Sequence, residues 1–252
     1  MTGTVDLPIV DDDPSSNPDF LVQGTDEIAV TLCPGAPDRH PKFGRPSRTS
    51  IYTDQNGNPS AMVYRFDQTD GQKEIRPYDL RAKSWSAPKL RFPYQVQNLF
   101  TTFKATVIVV EGEKAADALQ LALPDCVVTT SMGGANAAGK TIWRPLKDRN
   151  VIIWPDADEP GFGYAEQVCE KLKDLAKSVR VIPMKNVDGL KDLVANAGLG
   201  IENFSPSKGW DAADAVGEGW NAEILSRFLS LAVPFDSSIL RPTSSAAGCT
   251  RR

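Results

Sequence analysis

The hydrophobic positions of this chain follow two regimes that change near residue 105. Before it, apolar and polar residues alternate. Ser50-Ile51-Tyr52-Thr53 and Ala61-Met62-Val63-Tyr64-Arg65-Phe66 flank Asp54-Gln55-Asn56-Gly57-Asn58-Pro59. An Asn-Gly step between two β-prone runs predicts a hairpin. A second turn at Thr69-Asp70-Gly71 leads into Lys73-Glu74-Ile75-Arg76, which extends the hairpin to a small antiparallel meander. A connector over 95–104 follows. After residue 105, short β-branched runs at 106–110, 126–130, 151–154 and 179–182 alternate with helical patterns. Runs of this kind read as strands buried on both faces of a parallel sheet. The stretch 113–123 is rich in Ala and Leu and predicts a helix. Asp158 is an N-cap candidate with Pro160 in the first turn, and Ala165, Val168, Cys169, Leu172 and Leu175 continue at helical spacing. Alternating βα units imply a parallel sheet covered by helices.

The flanks lack such periodicity. Residues 1–45 are rich in Pro, Asp and Ser and predict an irregular lead-in. The expected organisation is therefore 1–45 lead-in, 46–104 β-rich subdomain, 105–232 α/β domain with a helical extension over 222–231, and 233–252 disordered tail. No apolar run approaches the roughly 20 residues of a membrane span. The first residues lack the basic-then-apolar start of a signal peptide, so a cytoplasmic location is expected. The four cysteines form no C-x-x-C pair, which excludes a zinc ribbon and predicts reduced thiols. The one histidine, His40, lies in a Pro/Arg-rich stretch that is a poor setting for a catalytic triad.

Net charge is −4, but its distribution is uneven. Lys73, Arg76, Arg81, Lys83, Lys89, Arg91 and Lys104 interleave with Tyr78, Trp85, Phe92, Tyr94, Phe100 and Phe103. Basic groups neutralise phosphates and aromatic faces stack unpaired bases, which makes Lys73, Arg76, Arg81, Lys89 and Arg91 nucleic-acid-binding candidates. A β-rich core of aromatics under a skin of lysines would give the same pattern, and both readings stay open.

The chemistry concentrates where strands end. The first parallel strand runs into Glu111-Gly112-Glu113, and the third runs into Pro155-Asp156-Ala157-Asp158-Glu159-Pro160-Gly161. Ligands of open parallel sheets collect beyond the carboxyl ends of the strands. Carboxylates gathered there repel one another unless a divalent cation neutralises them. Side chains two apart on an extended backbone point the same way, so Asp156 and Asp158 could share one side. A further acidic pair, Asp211 and Asp214, is spaced i, i+3. Glu111, Asp156, Asp158, Asp211 and Asp214 are therefore candidate ligands of Mg²⁺ or Mn²⁺, which bind carboxylates together with substrate phosphates. Gly134-Ala135-Asn136-Ala137-Ala138-Gly139-Lys140-Thr141 matches the phosphate-cradling pattern G-x-x-x-x-G-K-[ST]. Pro145 follows four residues later and leaves room for only a turn or two of helix. An ATPase built on Lys140 is thus a weaker rival. Receiver domains and haloacid-dehalogenase-type phosphatases place an acidic pair after the first strand, whereas here Glu comes first and D-x-D later.

That order resembles the TOPRIM domain, the metal-binding module of bacterial-type primases, topoisomerases and some nucleases. Val107-Ile108-Val109-Val110-Glu111-Gly112 resembles its first motif and Trp154-Pro155-Asp156-Ala157-Asp158-Glu159-Pro160-Gly161 its second. Lys208-Gly209-Trp210-Asp211-Ala212-Ala213-Asp214 is similar to the late acidic motif of primase-type members from phages, plasmids and integrated elements. The resemblance covers roughly 105–215, and the meander before it is similar to the subdomain that precedes the TOPRIM fold in primases. It implies an α/β TOPRIM (Rossmann-like) parallel sheet flanked by helices, preceded by a small antiparallel β-rich subdomain. It further implies a primase-like nucleotidyltransferase acting on single-stranded DNA in replication of a phage or mobile element. Glu111, Asp156 and Asp158 would be catalytic, and Lys114, Lys140 and Arg65 would contact nucleotide phosphate. Glu113 and Asp117 would support the site or sit on the helix surface. Single-stranded DNA template and nucleoside triphosphates are the expected partners. The family's zinc-binding domain has no counterpart here, so a separate zinc-binding protein or a replicative helicase is expected as a further partner. A TOPRIM metal-dependent nuclease and a non-catalytic nucleic-acid-binding replication module are the alternatives.

Overall fold

A computed structural model describes residues 30–134, 137–201 and 204–235. The predicted meander is present as β1 (Arg48–Thr53), β2 (Pro59–Asp67) and β3 (Lys73–Asp79), an antiparallel sheet in the order β1-β2-β3. Its first turn closes as the Asn-Gly step requires. Asp54 Oδ1 accepts from the N–H groups of Asn56 and Asn58, and Gly57 takes φ +82°. The sheet is buried on both faces. Tyr52, Ala61 and Val63 pack toward the α/β body, while Met62, Tyr64, Phe66 and Tyr78 pack with Cys33 and the partly buried Phe43 and Trp85. His40 belongs to this outer cluster, 4.5 Å from the Trp85 ring and 4.8 Å from Phe43, and so has a packing role. The part of the lead-in that is described, from residue 30, thus covers the meander; residues 1–29 and 236–252 lie outside the described chain.

The second unit is a five-stranded sheet in the order β5-β4-β6-β7-β8, with β4 (Val107–Val109), β5 (Val127–Thr129), β6 (Asn150–Ile153) and β7 (Ser178–Val181) parallel. Strand side chains alternate between two cores, as a pleated strand demands. Ile108, Val110, Val128, Ile152 and Trp154 enter one core with residues of α2 (Glu113–Ala122), α4 (Val187–Asn196), α5 (Ala212–Gly217) and α6 (Ala222–Ser230). Val107, Val109, Val127, Val151 and Ile153 enter the other with α1 (Val96–Thr101) and α3 (Glu159–Leu172). Helix α4 lies in a stretch that the apolar pattern leaves unassigned. Its start is set by Asn186, whose side chain accepts from Gly189 N–H. The antiparallel edge strand β8 (Val233–Pro234) stands where the sequence predicts a disordered tail. A proline is tolerated there because an edge strand does not need every N–H.

Most of the aromatic run beside the basic residues is core. Tyr78 and Tyr94 are buried and Trp85 and Phe92 partly so, whereas Phe100 and Phe103 are exposed. Buried Arg149 was not anticipated. Its guanidinium donates to the carbonyls of Leu99, Thr102 and Ala105, closing the C-terminal end of α1. No described helix is long and apolar enough to cross a membrane.

Candidate functional site

The chain leaves β4 for β5 on one side and then returns to β6 on the other, so β4 and β6 flank the topological switch point of the sheet. A crevice opens at such a point because successive connections depart in opposite directions. Glu111 follows β4 and Asp156 follows β6, and the two strands are locked in register by Val109 against Ile153 and by Trp154 N–H donating to Val109 O at 2.9 Å. The two predicted acidic stations are therefore neighbours.

The third station is brought in by a short backbone zip. Ala157 N–H donates to Trp210 O at 2.9 Å, and Gly209 N–H donates back to Ala157 O at 3.1 Å. Trp210 is anchored by ring contacts with Trp154, Phe204, Trp220 and Phe228, and its indole N–H donates to Glu218 at 2.9 Å. Gly209 has φ +74°, and a Cβ there would stand 3.6 Å from Asp158 Oδ2. Gly161 is required more strictly. A Cβ on it would lie 2.5 Å from the Asp156 carbonyl oxygen, because the first turn of α3 packs on that peptide.

A cleft of about 280 Å³ runs between this edge and the inner face of the meander. Glu111, Asp156 and Asp211 line it with Gly133 and Gly134, opposite Arg48, Arg65 and Lys73 of the meander; Lys114 stands at the start of α2. Asp156 is pushed up to about 8, chiefly by burial and then by the negative charges of Glu111, Asp211 and Asp158, while Lys73 pulls the other way. Asp211 is also raised, chiefly by burial, despite accepting from the N–H groups of Ala213 and Asp214. This oxygen-only donor set fits a hard divalent cation. Among the described residues, however, no three acidic, Cys or His side chains converge as a metal cluster.

Two acidic candidates are also helix caps. Asp158 accepts from Gly161 N–H at 2.9 Å as the N-cap of α3. Asp211 and Asp214 form a reciprocal capping box on α5, with Asp214 accepting from Asp211 N–H at 3.1 Å. Asp214 is exposed and absent from the cleft lining, so the i, i+3 pair serves the helix start rather than one shared face.

The basic candidates are dispersed, two of them by parity along β3. Lys73 faces the cleft with Ile75 and Pro77; Arg76, one pleat out of phase, lies over the Phe43 ring and pairs with Glu74 on the outer face. Arg81 and Lys89 line a separate groove with Leu90 and Phe92, and Arg91 donates to Pro88 O. Lys140 is exposed at the end of a 3-10 turn, Ala138–Lys140, whose first residue is buried, with extended backbone at Thr141. No α-helix is described between β5 and β6, as the P-loop geometry would need, and Lys140 does not line the cleft. Ala135 and Asn136 of that string lie outside the described residues.

Arg48 is the cleft residue that sequence reading missed. Its signal is alternation: Arg48, Ser50 and Tyr52 share one face of β1. Arg48 stands directly opposite Arg65 across the β1-β2 ladder. Like charges in that position are unfavourable. Each is offset by a carboxylate, Arg48 by Asp117 and Arg65 by Asp67 at 2.8 Å. Asp117 also accepts from Gln95, and Glu113 accepts from the Tyr52 hydroxyl at 2.7 Å. Burial raises Glu113. These two acids of α2 thus clamp the meander against the α/β unit.

No protein-family model matches the chain, and no curated protein sequence matches it. Among solved structures it is similar to the DnaG catalytic core (18% identity, TM-score 0.47, covering 74% of this chain and 53% of that one). It is also similar to a DNA primase domain from Pseudomonas aeruginosa (16% identity, TM-score 0.46, covering 74% and 51%) and to the primase fragment of the bacteriophage T7 primase-helicase protein (19% identity, TM-score 0.42, covering 71% and 61%). The chain spans about half the length of the first and second of these structures.

Proposed function

We propose that this chain is a primase-like nucleotidyltransferase that joins nucleotides on a single-stranded DNA template in DNA replication. The observation that carries the reading is the division of charge across one cleft, with carboxylates at the switch point of the parallel sheet facing Arg48, Arg65 and Lys73 of the meander. In this reading Glu111, Asp156 and Asp211 from the cleft wall, with Asp158 rotating out of its cap, hold Mg²⁺ or Mn²⁺. When bound, the cation supplies charge neutralisation at the reacting phosphate. Arg65 and Lys73 of the meander and Lys114 of α2 take the triphosphate oxygens, and Arg48 beside Arg65 adds a third cation to the meander wall. An anion seated between the two facing arginines would also relieve their repulsion. The 3′-hydroxyl oxygen bonds to the α-phosphorus, its proton passes to Glu111, and the α–β bridging oxygen leaves with pyrophosphate.

The test is to incubate the protein with single-stranded template, labelled ribo- and deoxynucleotides and Mg²⁺ or Mn²⁺. Template-dependent oligomers are expected from wild type and are expected to fall on the order of 10²–10³-fold in Asp156→Ala, as for loss of a principal electrostatic group. Template degradation without synthesis would mean a nuclease, and binding without either product would mean a non-catalytic module.

A further inference from the structure

The Glu111 station is tied to α3 by a hydroxyl relay that the cleft does not display. Thr130, Ser131 and Tyr164 are each fully buried. Thr130 Oγ1 lies 2.7 Å from the Glu111 backbone oxygen. Tyr164 Oη lies 3.5 Å from Thr130 Oγ1 and accepts from Ser131 N–H at 3.2 Å. The direction of the two shorter links is fixed by chemistry. A carbonyl can only accept, so Thr130 donates to Glu111. A backbone N–H can only donate, so Tyr164 receives from Ser131, and the Tyr164 and Thr130 hydroxyls meet at 3.5 Å, a longer contact in which either oxygen can be the donor. The run therefore consists of Ser131 N–H donating to Tyr164, Thr130 O–H donating to the Glu111 carbonyl, and the two buried hydroxyls in contact between them.

The relay spans three elements. Tyr164 is on α3, the helix capped by Asp158; Thr130 and Ser131 follow β5; Glu111 follows β4. Ser131 also leads into Gly133 and Gly134, which line the cleft, and a Cβ on Gly134 would stand 4.0 Å from Glu111 Oε1. We propose that Thr130 and Tyr164 are positioning residues that fix the Glu111 peptide, and hence its carboxylate, relative to the Asp156–Asp158 turn. Their role in phosphoryl transfer rests on the function proposed above. Their hold on the Glu111 peptide does not.

Tyr164→Phe keeps the ring and deletes the hydroxyl, Thr130→Val keeps the shape and deletes the donor, and Thr130→Ser keeps the donor. Three readouts are compared with wild type: the amide NMR shift of Gly112, whose peptide plane contains the Glu111 carbonyl; Mn²⁺ affinity; and the thermal midpoint. In Tyr164→Phe and Thr130→Val the Gly112 resonance is expected to move and Mn²⁺ affinity to fall about tenfold, the scale for groups that orient a metal ligand. Thr130→Ser is expected to restore both. A folded Thr130→Val or Tyr164→Phe variant with an unmoved Gly112 amide overturns the proposal, as does a moved amide with wild-type Mn²⁺ affinity. Absence of Mn²⁺ binding in wild type would instead overturn the metal reading, and the Gly112 shifts alone would then decide whether the relay holds the peptide.

Discussion

The two sheets of this protein meet the same cleft with opposite charge and by different means. The meander presents long, regular strands whose alternate residues form a wall, so Arg48, Arg65 and Lys73 reach the cleft by parity along β1, β2 and β3. The parallel sheet presents strands of only three or four residues, with Glu111 and Asp156 in the loops beyond them and Asp211 at the start of α5. The meander therefore fixes Arg65 and Lys73 through its own ladder, with Arg48 held in addition by Asp117 of α2. The acidic wall needs outside support: the register of β4 with β6, the zip between Ala157 and Gly209-Trp210, and the aromatic cluster behind it. Perturbation should accordingly spread through the acidic wall and stay local on the basic one.

The largest expected effect comes from removing that support. Trp210→Ala should cost about 4 kcal/mol of stability, the usual range for truncating a core aromatic. It should also weaken Mn²⁺ binding, because Asp211 follows Trp210 directly. Chemical denaturation checks the first outcome and Mn²⁺ titration of the folded variant the second. A variant that loses stability but binds Mn²⁺ like wild type would separate the acidic wall from the cluster.

A second expectation concerns pH. Asp156 titrates near 8 in the fold against an ordinary value of 3.8. Between those limits the folded chain keeps a proton that the unfolded chain has released, so stability present below pH 4 is progressively lost as pH rises to 8. The metal-free protein should thus melt at a lower temperature at pH 8 than at pH 5. Asp156→Asn should flatten that slope, and saturating Mg²⁺ should raise the midpoint more at pH 8 than at pH 5. Melting curves across this range with chelator or with Mg²⁺ provide the check.

Much of this was legible in the sequence because it was local. The Asn-Gly hairpin, the β-branched strands and the Asp158 cap each follow from neighbouring residues, and all are present. That Glu111 and Asp156 line one cleft was legible because strand ends in a parallel sheet share an edge. What escaped was non-local. Arg48 requires the β1-β2 register, and the capping duty of Asp214 competes with a metal role that spacing alone cannot decide. Lys140 and the glycine string before it matched a phosphate loop by composition, but the 3-10 turns Ala138–Lys140 and Arg144–Leu146 replace the helix that such a loop requires. The basic run from Lys73 to Arg91 leaves two readings open in sequence, and the fold separates it: parity along β3 sends Lys73 to the cleft and Arg76 to the outer face, while Arg81 and Lys89, beyond β3, line another groove.

The smallest effect is expected at the clamp between the two regions. Tyr52→Phe removes the hydroxyl that donates to Glu113, and should lower stability by about 1 kcal/mol, the net worth of one hydrogen bond. Denaturant unfolding would measure it. A larger loss, with a separate early transition, would mean that the meander detaches as a unit and depends on this contact.

The central claim is that one wall binds the cation and the other the phosphates. The direct measurement is a paired titration of Mn²⁺ and of nucleoside triphosphate in wild type, Asp156→Asn and the double variant Arg65→Ala/Lys73→Ala. Asp156→Asn should lose Mn²⁺ affinity about tenfold or more in the absence of nucleotide. The double variant should keep Mn²⁺ affinity and lose triphosphate affinity by a similar factor. Equal losses of both ligands in both variants, or Mn²⁺ binding indifferent to Asp156, would contradict the division of the cleft.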